Sequence, residues 1–160
     1  AQAKRGQARC YVLPFQAPSR VFEQWAAGKY PQLDALTPQQ RQAVMAIFNT
    51  VPIRLGAYGD PSSDQDTLKM LVEHRWAGYT HQWREYPHLN QWLMASIDSI
   101  DEYREAKQLG FRTYRHTKDQ AMLDNEIQCP NDTHGTQCIS CLLCNGTGYA
   151  SGKDIVTWTI

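Results

Sequence analysis

From residue 51 onward the chain alternates short runs rich in β-branched and aromatic residues with helical stretches of about ten residues. That alternation constrains the fold more than any other feature. Strands separated by helices return in the same direction and pair in parallel, so the pattern predicts an α/β fold built of four to six βα units. "VPIRLGAYGD" (51–60) reads as a strand entering a Gly-rich turn, and "SSDQDTLKMLVEHRW" (62–76) as a helix with Leu68, Leu71 and Val72 on its apolar face. "WAGYTHQW" suggests a strand, "YPHLNQW" a short helix and "LMASID" (93–98) another strand. "SIDEYREAKQLG" (99–110) is a helix capped by Ser99 and stopped by Gly110, and "FRTYRHT" (111–117) is the next strand. Two helices precede them, over 18–28 and 36–49, the second with Thr37 as its cap and Pro38 in its first turn.

A closed eightfold barrel takes about 250 residues. With 160 residues, the parallel βα units are expected to form a partial or open barrel, or a compact sheet. The expected organisation is a single domain over 1–160, with a βα core at 1–127, a cysteine-rich metal loop at 128–152 and a terminal strand at 153–160. Lys plus Arg equals Asp plus Glu at 16 each, so no basic excess points to a polyanion partner. No run approaches the roughly 18 apolar residues of a membrane span, and no apolar leader precedes residue 30. The reading is a cytoplasmic protein without a membrane partner, in a compartment where clustered cysteines act as metal ligands rather than disulfides.

Four of the five cysteines fall within "CPNDTHGTQCISCLLCNGTG" (129–148), spaced C-x8-C-x2-C-x2-C. Two overlapping C-x2-C pairs with a fourth cysteine nearby make Cys129, Cys138, Cys141 and Cys144 the candidate ligands of one metal centre. Overlapping pairs suit a [4Fe–4S] cluster, whose larger core needs spread ligands, whereas a closed set of four sulfurs also suits a structural zinc. Both metals stay open at this point. Cys10 is either a buried thiol or an extra ligand.

Sites of parallel βα folds lie at the carboxyl ends of the strands. The residues there are Gly56, Tyr58, Gly59 and Asp60, then Thr80, His81, Gln82, Trp83 and Arg84, then Ser96 and Asp98, then Arg115 and His116. Asp60, His81 and Asp98 are the candidate catalytic groups, His81 being the one whose free pKa suits proton transfer. "HRWAGYTHQWREY" interleaves basic and aromatic residues in a manner that could stack single-stranded bases. No Walker loop or dinucleotide fingerprint occurs.

Taken in order, "CYV" (10–12), "FQAP" (15–18), "PIRLGAYGDP" (52–61), "GYTHQWR" (78–84), "MASID" (94–98), "GFRTYR" (110–115) and the cysteine tail resemble a family of uncharacterised phage- and plasmid-encoded proteins related to gene product 88. Residues 53–61 are also similar to the strand end at which radical S-adenosylmethionine (SAM) barrels meet their cofactor. That resemblance implies Gly56, Gly59 and Asp60 as SAM contacts. Those enzymes carry three cysteines near the N-terminus, and here Cys10 alone precedes Cys129. "CLLCNGTG" is similar to one zinc repeat of DnaJ-type chaperones, which implies glycines that close a tight knuckle around zinc. Two functions follow as expectations. One is a metal-binding phage-type βα protein with a polar strand-end site; the other is a non-catalytic, zinc-stabilised phage protein that binds a host protein or nucleic acid.

Overall fold

A computed structural model of the chain describes residues 17–119, 121–148 and 152–158; Cys10 and the last two residues of the expected terminal strand lie outside them. The chain divides into two units, Ala1–Ile47 and Phe48–Ile160. In the first, α1 (Ala17–Ala26) pairs the rings of Phe22 and Trp25 at 5.7 Å. The start of α2 (Pro38–Thr50) is a reciprocal cap: Gln40 N–H donates to Thr37 Oγ1 and Thr37 N–H to Gln40 Oε1.

The second unit is a parallel α/β sheet. Its strands are β1 (Ile53–Arg54), β2 (Trp76–Ala77), β3 (Tyr79–Thr80), β4 (Met94–Ile97), β5 (Thr113–Thr117), β6 (Glu126–Gln128) and β7 (Asp154–Trp158). β1 pairs with β2, and the others form a five-stranded sheet in the order β3-β4-β5-β7-β6; every pairing is parallel. Only Gly78 separates β2 from β3, so the two small sheets join at one residue. A Cβ at Gly78 would stand 2.7 Å from the Leu55 Cβ, so the junction requires glycine. The assembly is open, as the chain length requires.

The helices are shorter than their sequence periodicity suggests. Asp60 caps a 3-10 turn at Pro61–Ser63, and Asp64 then caps α3 (Gln65–Leu71) through Thr67 N–H at 3.0 Å. Two successive caps divide the expected helix of 62–76. α4 (Ile100–Gln108) begins at Ser99, whose hydroxyl accepts from Glu102 N–H, and is followed by Gly110 at φ +78°. It packs on one face of the sheet, where Trp83, Ala95, Ile97, Ala106 and Phe111 form a buried cluster. A second cluster of Leu55, Leu68, Leu89 and Leu93 lies under α3 and the 3-10 turn at Pro87–Gln91.

The cysteine segment carries two short helices, α5 (Pro130–His134) and α6 (Cys138–Cys141), where an irregular loop was expected. It is the crossover between β6 and β7. The terminal strand is not an edge: β7 inserts between β5 and β6. From β4 to β5 the chain advances along the sheet, whereas from β6 to β7 it steps back. Right-handed crossovers must then lie on opposite faces, so the cysteine segment covers the face that α4 leaves open.

Candidate metal centre and strand-end site

The register sorts the side chains between the two faces. Tyr79, Ser96, Tyr114, His116, Ile155, Thr157 and Ile127 share one face, and Cys129 continues it, its N–H extending the ladder to Val156 C=O at 2.8 Å. Thr113, Arg115, Glu126 and Asp154 are on the other face, with α4.

On the cysteine face, the rings of Tyr79 and Tyr114 stack in parallel at 4.4 Å across β4. Tyr114 Oη approaches Thr157 Oγ1 at 3.4 Å, and His116 Nδ1 is 2.8 Å from the same hydroxyl. Above them the crossover is anchored at its return. Gly78 N–H donates to Cys144 C=O at 2.6 Å, and Gly146, Thr147 and Gly148 donate to the carbonyls of Trp92, Asn90 and Gln91. A Cβ on Gly146 would lie 2.3 Å from the Gln91 backbone. This glycine lets two backbones meet, a role beyond the one the chaperone-like spacing implied. The tight turn is made at Leu142, with φ 53°, the one non-glycine residue with positive φ among those described.

All four tail cysteines are free thiols. Burial pushes the Cys144 thiol up to about 12, and the charges of Cys129, Cys138 and Cys141 push the same way while Arg112 opposes them. Burial also raises Cys129, with Cys138 contributing. Burial raises Tyr114 too, against its hydrogen bond to Thr157, and Cys144 and Cys129 add to the effect. The thiols thus lie within electrostatic reach of one another over Tyr114. Among the described residues, no three His, Cys, Asp or Glu side chains are arranged to hold a metal ion. The donor set suits a thiophilic metal in kind, but its sulfurs are not arranged around a common point.

Two of the three candidate catalytic groups come together. Asp60 Oδ1 accepts from Ser62 N–H (3.0 Å), Ser62 Oγ (2.7 Å) and Thr80 Oγ1 (2.6 Å), and Oδ2 accepts from His81 N–H at 2.7 Å. His81 Nδ1 lies 3.9 Å from Asp60 Oδ2. One oxygen of Asp60 is saturated by tying the β1 turn to the end of β3, and the other holds the His81 backbone N–H. Asp60 is half-buried in these contacts, and His81 is exposed at the strand end. Asp98 does not join them: it is exposed beyond β4, its N–H bonded to Glu102 Oε2 at 2.7 Å.

Gly56 and Gly59 differ in kind. Gly56 has φ +74°, and a Cβ there would meet Pro61 Cδ at 2.8 Å, so the turn itself requires glycine; a Cβ on Gly59 would meet nothing. Arg84 forks onto Glu105 at 2.7 and 2.9 Å and covers the Trp83 ring at 3.9 Å. Trp83 itself is buried with its Nε1–H on Ser96 C=O, and Trp76 Nε1–H is on Trp92 C=O. The two tryptophans of the supposed base-stacking stretch are thus engaged in packing.

Sequence reasoning missed Arg112, Tyr79, Tyr114 and Thr157. The signal was present in "FRTYRHT": a strand covered on both faces is expected to be almost wholly apolar, and this one is polar or aromatic throughout. No family model matches the chain, and neither a curated protein nor a solved structure matches it closely enough to carry an argument. No helix among the described residues is long and apolar enough to cross a membrane.

Proposed function

We propose that this is a metal-binding α/β protein in which Cys129, Cys138, Cys141 and Cys144 hold one centre, zinc or [4Fe–4S], beside a polar site at the strand ends. The observation that supports the reading is that all four cysteines of the C-x8-C-x2-C-x2-C run belong to the one crossover between β6 and β7, with Cys129 placed by the strand register on the face that the crossover covers. The positive φ of Leu142, costing about 1–2 kcal/mol in a non-glycine residue, supports it, because strain of this kind persists where surrounding structure demands it. Bound there, zinc would fasten the crossover as a structural ion, and an iron–sulfur cluster would add one-electron chemistry. The chain's own residues supply the rest. His81 is the proton-transfer group, Asp60 holds its backbone at the strand end, and Gly59 leaves the adjacent loop open to a ligand. A ligand at this loop is SAM on the barrel resemblance.

Elemental analysis of freshly prepared, anaerobically handled protein tests the centre. About one zinc, or about four irons with a brown colour, is expected per wild-type chain, with near-complete loss in Cys144→Ser. Wild-type protein that retains neither metal, and a Cys144→Ser variant indistinguishable from it, would overturn the reading. Calorimetric titration with SAM tests the loop separately, and Gly59→Val is expected to weaken any binding there.

A further inference from the structure

We propose that Arg112 is a positioning residue for the cysteine centre, gripping the chain on either side of Cys144 and placing a positive charge at that arm; this rests on the four-cysteine reading above. Arg112 enters from the amino end of β5 on the cysteine face and is 3% exposed. Nη1 donates to Asn145 C=O and Asn145 Oδ1, both at 2.8 Å, and Nη2 donates to Leu143 C=O at 3.0 Å. Nε donates to Lys153 C=O at 2.8 Å, and Nη2 also bonds that carbonyl. One guanidinium therefore holds the residues on either side of Cys144 and the start of β7 together. Asn145, itself buried, passes the grip onward through Nδ2–H to Leu142 C=O at 2.8 Å, the residue with the left-handed backbone.

The charge matters as much as the grip. Four thiolates around a divalent zinc leave a centre of about −2, and a thiolate-bound iron–sulfur cluster is anionic as well. Burying such a charge is costly unless a cation accompanies it. Arg112 is that cation by position, and its planar fork reaches several carbonyls at once, which an ammonium cannot do. Second-sphere groups of this kind tune metal affinity by about 10–100-fold.

The test adds cobalt(II), then competing zinc(II), to the reduced, metal-stripped full chain, and follows the thiolate–cobalt absorption over a range of pH. Wild type, Arg112→Gln, Arg112→Lys and Cys144→Ser are compared, with folding checked by circular dichroism. Arg112→Gln is expected to bind about 10–100-fold more weakly and to need a higher pH for half loading. Arg112→Lys, which keeps the charge and loses the fork, is expected to bind more weakly with its half-loading pH near that of wild type. Folded Arg112→Gln protein that matches wild type in both readouts overturns the proposal. If that variant does not fold, wild-type affinity in Arg112→Lys overturns it instead. A wild-type chain that takes up no cobalt removes the four-cysteine reading itself, an outcome distinct from either.

Discussion

Two buried arginines, Arg112 just before β5 and Arg115 within it, leave for opposite faces of the sheet. Arg115 meets Glu126 in a fork, with Nε and Nη2 at 2.7 and 2.6 Å from the two carboxylate oxygens. The hydrogen bond to Glu126 raises the Arg115 pKa above the ordinary arginine value. Arg112, by contrast, is directed at main-chain carbonyls around Cys144, and burial lowers its pKa, with Asp154 and Cys144 acting in the opposite direction. The α4 face therefore carries its own counter-charges: Glu126 for Arg115, and Asp154 for Lys107 at 3.0 Å. On the cysteine face the guanidinium binds the carbonyls of Leu143, Asn145 and Lys153. The first face closes on ion pairs of its own, and the second is held by a guanidinium on main-chain carbonyls.

The largest effect is expected from breaking the self-sufficient face. Glu126→Gln removes the charge facing a buried guanidinium, and leaving one partner of such a pair uncompensated costs about 3–5 kcal/mol. Urea denaturation at neutral pH measures this directly. A loss below about 1 kcal/mol would mean that the pair is no more than a surface bridge. Next comes Gly146→Ala, which drives a methyl group into the Gln91–Trp92 backbone, where no side chain can rotate away. Overpacking of this kind costs up to about 3 kcal/mol and should loosen the cysteine face, whereas Gly59→Ala, opening onto free space, should stay within about 0.5 kcal/mol of wild type.

The strands other than β6, and the α4 cap, were readable because their signals are local. Ser99, Gly110 and the run "LMASI" act through neighbours a few residues away. The position of β7 was not readable, because its insertion between β5 and β6 is decided by parallel pairing across long sequence separations. The same limit applied to the sites. The spacing C-x8-C-x2-C-x2-C identified the thiols, yet nothing in it says that the crossover lies over Tyr114 or that Gly146 serves a backbone contact. Asp60 and His81 were legible as strand-end residues. That the carboxylate is mostly occupied by Ser62 and Thr80 depends on Thr80 being brought against a turn twenty residues earlier.

Leu142 gives a smaller effect of opposite sign on the cysteine face. Leu142→Gly relieves the left-handed strain and, in metal-free protein, is expected to raise stability by about 1 kcal/mol in urea denaturation. A destabilised variant would show that the leucine side chain contributes more packing than the backbone loses in strain.

The smallest effect is a pH dependence that both faces share. Burial, reinforced by the charge of Asp154 and the hydrogen bond to its Oδ2, pushes the Tyr103 hydroxyl on the α4 face up to about 12. In the unfolded chain a tyrosine ionises near pH 10. Between those values the unfolded state has released a proton that the folded state still binds, so the linkage slope is negative: stability is intact below about pH 10 and falls as pH rises toward 12. Tyr114, on the cysteine face, is also raised and contributes in the same direction. Tyr103→Phe and Tyr114→Phe should each flatten the loss of stability across this alkaline window relative to wild type, measured by urea denaturation at stepped pH. The Tyr103 variant is expected to flatten it whether or not metal is present, because its surroundings are complete within the chain. The Tyr114 variant should respond to metal loading, because the thiols above that ring are the groups a metal would alter; equal behaviour of the two variants with and without metal would erase the distinction between the faces.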